Sequence, residues 1–242
     1  GMLTFFVPLL AGLLWDRGSF RRAFLKSKTL GVLYKLVLLF AATAALVTLL
    51  LTQSRGAILG SAVGLLALAI WKDRRVMWVL PLLILAFLAA FIQFADGDPA
   101  KFISMLDTNE FQTLPGRLEA WKNTLYLIQD FPITGTGIGT YNKLFAEVYS
   151  FIPFALQGEG SYHAHSTYLA AAVDLGLPAL VLYMALAGSA AAMTLQTVYR
   201  GRTLNRALAR GLACGLLAHL VFGIMDAFLL GTKPGAILWV FY

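Results

Sequence analysis

With 242 residues, 59% of them hydrophobic and only 13% charged, at a mean hydropathy of +0.75, the chain lacks the charge to cover a water-facing surface. The same figures exclude disorder, which needs high charge and low hydrophobicity, and a single cysteine, Cys214, excludes a disulfide framework or a cysteine-rich zinc module. The net charge of +7 is gathered in short runs between long apolar stretches, which points to a polytopic membrane protein rather than to a nucleic-acid-binding face.

A membrane-crossing helix takes about 20 mostly apolar residues, because a rise of ~1.5 Å each must cover a hydrocarbon core of ~30 Å. Residues 2–15 are apolar but too few to span. Basic residues follow this run instead of preceding it and no small-residue cleavage site comes next, so it does not read as a secretory signal. The first predicted span is 30–51, with Lys35 near enough to its end to snorkel. Next come 56–71, which is short and borrows a turn from its flanks, and 76–95. The stretch 167–197 reads as one span long enough to tilt or project, and 207–230 is the last. Residues 236–242 are again too few, so both ends read as truncated helices and the chain as a fragment of a longer protein. The expected architecture is all-α, a multi-pass transmembrane helical bundle. It forms a single integral membrane domain over 1–242, with about five complete spans and a partly helical outer loop at 96–165.

Orientation follows from the lysines and arginines of the short loops. Segment 16–28 holds Arg17, Arg21, Arg22, Lys26 and Lys28; 72–75 holds Lys72, Arg74 and Arg75; 200–210 holds Arg200, Arg202, Arg206 and Arg210. These three segments alternate along the chain, so all of them fit on the cytoplasmic side. Segment 96–165 carries eight acids against four bases and falls outside. Arg55, Arg117 and His165, distant in sequence, are thereby expected at one outer interface.

Gly56, Gly60 and Gly64 line one side of a helix and permit close backbone approach, which reads as packing. Gly211, Gly215, His219 and Gly223 form a second such stripe, with Asp226 beyond it; a histidine there is expected to hydrogen-bond to a neighbouring helix. Gly135-Thr136-Gly137-Ile138-Gly139 has neither the Gly-Lys-Ser/Thr of a P-loop nor a βαβ setting, so it reads as a turn after a helix.

Within the outer loop, 115–130 reads as one amphipathic helix. Pro115 suits its first turn, Leu118, Trp121, Leu125 and Ile128 form the apolar stripe, and Glu119, Lys122, Asn123 and Asp130 fall elsewhere. Arg117 sits near that stripe at a helix N-terminus, a position that favours anions, and reads either as a phosphate ligand or as a lipid-headgroup anchor. Arg55 meets the same alternative, but its setting in Thr52-Gln53-Ser54-Arg55-Gly56 has more hydrogen-bonding capacity than an anchor needs. His163 and His165 at i, i+2 would need a carboxylate such as Glu159 to complete a metal site. Acid–base work suits them better, because neutral imidazole takes a proton from a hydroxyl while arginines bind a phosphate leaving group. Two arginines and a histidine at an outer interface point to transfer from a lipid-linked phosphate donor. A transporter for lipid-linked glycans is the rival from another class, but it would carry broken helices and midplane polar sites within internal repeats.

Three segments together resemble the O-antigen ligase family, whose superfamily also holds O-antigen polymerases and O-linked oligosaccharyltransferases. Thr52-Gln53-Ser54-Arg55-Gly56-Ala57 resembles its Ser-Arg-Gly-Ala element. Gly116-Arg117-Leu118-Glu119-Ala120-Trp121, followed by Pro132-Ile133-Thr134-Gly135-Thr136-Gly137, resembles its second arginine element and glycine-rich turn. His163-Ala164-His165-Ser166, with nine residues before Gly176, resembles its His-Asn/Ser-x9-Gly motif, where Ala179 departs from the usual Gly, Thr or Tyr. The resemblance covers 30–190, more weakly 223–234, and family members are usually about twice as long. It implies a multi-pass glycosyltransferase of the C type, inverting, with no metal or other cofactor. The implied donor is a glycan on polyprenyl (undecaprenyl) diphosphate, and the acceptor a glycolipid or other hydroxyl. It also implies a bacterial inner membrane, an active periplasmic face, membrane lipids as partners and no nucleic acid. Carried over, diphosphate binding falls on Arg55 and Arg117, activation of the acceptor on His165, and a supporting, substrate-binding role on His163. A polymerase or a protein transferase would use the same chemistry on another acceptor.

Overall fold

In a bilayer, helices gain little from hiding apolar surface from one another and associate where small residues let backbones pack closely. That rule organises this chain. The structure, a computed structural model, describes residues 2–15, 28–78, 114–149, 164–201 and 203–227, with isolated helical positions between 81 and 93. The helices are α1 (Met2–Leu14), α2 (Lys28–Leu51), α3 (Arg55–Lys72), α4 (Leu114–Asp130), α5 (Tyr141–Glu147), α6 (Thr167–Leu175), α7 (Leu177–Arg200) and α8 (Thr203–Met225), with a 3-10 turn at Arg74–Trp78. Among the described residues there is no strand, and the protein is an all-α, multi-pass membrane protein.

Helix α8 is the centre of the bundle. On one side Gly60 and Gly64 of α3 sit so close that an added Cβ would come within 2.5 Å of Ala218 O and 2.7 Å of Cys214 O. On another, Gly211 and Gly215 of α8 lie against the Leu9 and Phe5 carbonyl oxygens of α1. Both glycine stripes are therefore packing surfaces. The contacts pair 56 with 222–225 and 64 with 214–218, so α3 and α8 run antiparallel. His219 is buried inside this core. Helix α2, by contrast, leaves most of its apolar side chains at the surface, Phe40 and Leu51 each 76% exposed, as a lipid-facing helix does. At the opposite end of the bundle from Gly56, the Lys72 ammonium lies 3.6 Å from the Trp15 ring centroid.

Among the described residues four helices are long and apolar enough to cross a membrane: Thr29–Leu51, Arg55–Lys72, Leu177–Arg200 and Arg206–Met225. They match the expected spans at 30–51 and 56–71 and most of that at 207–230, although the helix ends at Met225. The expected span at 76–95 begins instead with the 3-10 turn, and most of it lies outside the described residues, as do segment 236–242 and most of segment 16–28.

The reading of 167–197 as one continuous span is corrected. The helix breaks at Gly176, whose φ of +86° is left-handed backbone that favours glycine. The break is held from outside. Leu177 N–H donates to Pro132 O at 2.8 Å, and Thr136 and Gly137 N–H donate to Val173 O and Asp174 O at 2.7 and 2.9 Å. The glycine-rich turn after α4 thus caps the end of α6 and the start of α7. Only α7, at 24 residues and so ~36 Å, is a spanning length.

The apolar stripe of α4 divides between surface and interior. Ala120, Asn123, Thr124, Leu127 and Ile128 are buried, whereas Leu118 and Leu125 are 52% and 49% exposed. The buried side packs on α6 and α5 through Leu127, Ile128, Tyr141, Phe145, Ala172 and Val173. Thr124 enters with its bonds met inside, its Oγ1 lying 2.9 Å from Tyr141 Oη and donating to Ala120 O at 2.7 Å, whereas the buried Asn123 Nδ2 meets no partner among the described residues. The Tyr149 hydroxyl donates to the Asp130 carboxylate, tying the far side of α5 to the end of α4.

Candidate active site

Arg55 is the first residue of α3, and its position is set by a tight corner between α2 and α3. Thr52 Oγ1 donates back to Leu49 O at 2.6 Å, Gln53 turns the chain at φ +50°, and Ser54 caps α3 by accepting from Ala57 N–H at 3.4 Å. The polar cluster around Arg55 is thus partly structural, since its hydroxyls stop one helix and start the next. Arg55 itself is exposed. Its neighbour Gly56 fits against Met225 and Phe222 at the end of α8.

The same end of α8 receives the start of α6. Ser166 Oγ donates to Gly223 O at 3.3 Å, and Thr167 donates to Asp226 O through both its N–H and its hydroxyl, each at 3.1 Å. Tyr168 Oη donates to Leu220 O at 2.7 Å, one turn deeper. These bonds pin the residues that follow His165. His165 has φ +43°, left-handed backbone that a residue with a Cβ adopts at a cost of about 1–2 kcal/mol. It is half-buried between the buried Ala164 and Ser166.

Helix α4 closes the third side. Trp121 Nε1 donates to His165 O at 3.4 Å. Arg117 lies one helical turn before Trp121, on the same side of α4. Arg117 is half-buried, and its Nε is shielded from solvent and meets no hydrogen-bond partner among the described residues. A shielded guanidinium N–H without an acceptor is an open demand for one.

The three residues lie at one end of the bundle: Arg55 and His165 each border a residue that rests on the end of α8, and Arg117 lies one turn from Trp121, which bonds to His165 O. His163 and Glu159 lie outside the described residues. Among the described residues no three of His, Cys, Asp and Glu come together.

Two residues of this region went unread in the sequence. Trp121 was assigned to an apolar stripe, but its indole N–H makes the link to His165; its place one turn after Arg117 was the available signal. Asp174 is buried in α6, and burial pushes its carboxyl up from 3.8 to about 6. Its signal was a lone acid in Ala170-Ala171-Ala172-Val173-Asp174. Tyr141 nearby is also pushed up, to about 12, mainly by burial.

This end of the bundle pairs groups that bind phosphate oxygens with a group that takes a proton from a hydroxyl. A family model described as O-antigen ligase matches residues 40–184, which include Arg55, Arg117, the glycine-rich turn, His165 and Gly176. No curated protein matches the chain.

Proposed function

The chain belongs to the O-antigen ligase family, and from that membership we propose that it transfers a preassembled glycan from a polyprenyl (undecaprenyl) diphosphate to an acceptor hydroxyl. The acceptor oxygen attacks the anomeric carbon, the bond from that carbon to the diphosphate oxygen breaks, and the configuration inverts. The departing polyprenyl diphosphate takes the bonding electron pair, and the proton of the acceptor goes to His165. Arg55 and Arg117 stabilise the charge that develops on the leaving diphosphate, and His163 assists substrate binding. No metal is needed, because two guanidinium groups supply the positive charge. By the loop charges the reaction runs on the periplasmic side of a bacterial inner membrane, with a glycolipid, another lipid-linked repeat or a protein hydroxyl as acceptor.

The observation that carries this reading is the Trp121–His165 bond, which supports bringing the Arg117 turn and the histidine into one site. The test is reconstitution in vesicles with a radiolabelled polyprenyl-diphosphate glycan. Expected is release of polyprenyl diphosphate with gain of label on an acceptor, reduced at least ~100-fold by His165→Ala. Arg117→Lys is expected to be damaging too, because a point charge does not reproduce the guanidinium fork. Normal turnover by a folded His165→Ala protein removes His165 from the mechanism.

A further inference from the structure

The glycine-rich turn at 131–140 has three properties that are seldom found together in a surface loop. It carries no charged residue. Its large apolar side chains point away from the protein, Ile133 at 73% and Ile138 at 53% exposed, with Phe131 beside them. Its hydroxyls are bonded within the chain. Each of its three threonine hydroxyls donates to a backbone carbonyl: Thr134 to Gly135 O at 3.1 Å, Thr136 to Val173 O at 3.0 Å, and Thr140 to Gly137 O at 2.8 Å and Thr136 O at 2.7 Å. The N–H groups of Gly135, Thr136, Gly137 and Thr140 are likewise bonded to backbone oxygens, whereas those of Ile133, Thr134, Ile138 and Gly139 meet no partner among the described residues.

Side-chain-to-backbone bonds of this kind also occur in water-exposed turns, so the exposed apolar side chains carry the argument. In hydrocarbon an irregular backbone survives only where its polar groups are satisfied within the protein, and the open N–H groups therefore hold this backbone at the level of the headgroups while side chains reach deeper. The height of the turn is fixed as well. Leu177 N–H donates to Pro132 O, and Leu177 is the first residue of the spanning helix α7. The exposed apolar surface runs on from the turn through Leu175 and Leu177 to Val181 and Leu182 on α7, which face lipid.

We propose that the 131–140 turn is an interfacial membrane wedge whose Ile133 and Ile138 side chains insert into the acyl region of the leaflet where α7 enters the bilayer. The occupant of this surface is bilayer lipid, because the surface is continuous with the lipid-facing side of α7. The wedge fixes the depth of α4, which runs directly into the turn and carries Arg117 and Trp121. The inference is independent of the proposed glycan transfer.

The test places a nitroxide at Ile133→Cys and, separately, at Ile138→Cys. The full chain carries Cys214→Ala, which removes its one cysteine, a buried one, and sits in phospholipid vesicles with no glycan donor. Collision with oxygen, which concentrates in lipid, is compared with collision with a water-soluble nickel chelate. Val181→Cys is the lipid reference and the exposed Lys143→Cys the aqueous one. At both positions an oxygen-to-nickel ratio like that of Val181 and several-fold above that of Lys143 is expected. A ratio like that of Lys143 overturns the proposal, and so does low collision with both reagents, which means a second copy or another segment covers the turn.

Discussion

Replacing Gly176 with alanine gives a sharp test of how the α6–α7 junction beside the candidate site is held. Two costs arise. Alanine at φ +86° pays about 1–2 kcal/mol for left-handed backbone. Its Cβ would also overlap the Ile133 carbonyl oxygen and come within 3.1 Å of Gly135 N, both backbone atoms with no flexible end to swing aside. Relief requires the turn to separate from the α6–α7 junction. That separation breaks the bonds from Leu177 N–H to Pro132 O, from Thr136 N–H and Oγ1 to Val173 O, and from Gly137 N–H to Asp174 O. At about 1 kcal/mol for each of these bonds, the variant is destabilised by about 5–6 kcal/mol. Gly139→Ala is the control, because Gly139 has φ +77° but nothing within 4 Å of an added Cβ; it pays the backbone cost alone, about 1–2 kcal/mol. Unfolding of the two variants in mixed micelles, followed by ellipticity, measures the difference, expected near 4 kcal/mol. Equal destabilisation of the two would mean that the turn does not clamp the junction.

Two further outcomes follow from Asp174 and Trp121. Because burial lifts Asp174 to about 6 in the folded chain, the native state keeps a proton between about pH 4 and 6 that the unfolded state has released, so stability is greatest below that window and falls as pH rises through it. Asp174→Asn should flatten this fall and exceed the wild type in stability at neutral pH; an unchanged pH profile of unfolding would refute the assignment. Trp121→Phe keeps the ring but removes the bond to His165 O. It is expected to slow turnover about fivefold, the equivalent of ~1 kcal/mol, while KM for the donor holds, and a wild-type kcat would show that the bond does not position His165.

The spans were legible because a bilayer imposes length and composition at once, and 30–51 and 56–71 satisfy both without ambiguity. The glycine stripe 56–60–64 was legible for a related reason: close packing in lipid needs small residues in register. The break at Gly176 was missed. Its signal, Pro178 at the first turn of α7, was present in Gly176-Leu177-Pro178 but was passed over because the flanks are apolar enough for one continuous span. Which way the apolar stripe of α4 faces was left open, because protein and lipid both accept apolar side chains. Here Leu118 and Leu125 stay at the surface while Asn123 and Thr124 go in. Arg55, Arg117 and His165 could be assigned to one interface from topology alone. The tie through Trp121 and α8 needed coordinates, since hydrogen bonds to main-chain carbonyls leave no mark on the sequence.

The last turn of α8 serves as a common abutment. Gly56, beside Arg55, and Thr167, two residues after His165, both rest on it. When the bilayer thickens or thins and the spanning helices change their inclination, the two residues ride on one support. Their separation is therefore insulated from lipid composition, and any rotation of α8 about its own axis is communicated to both together.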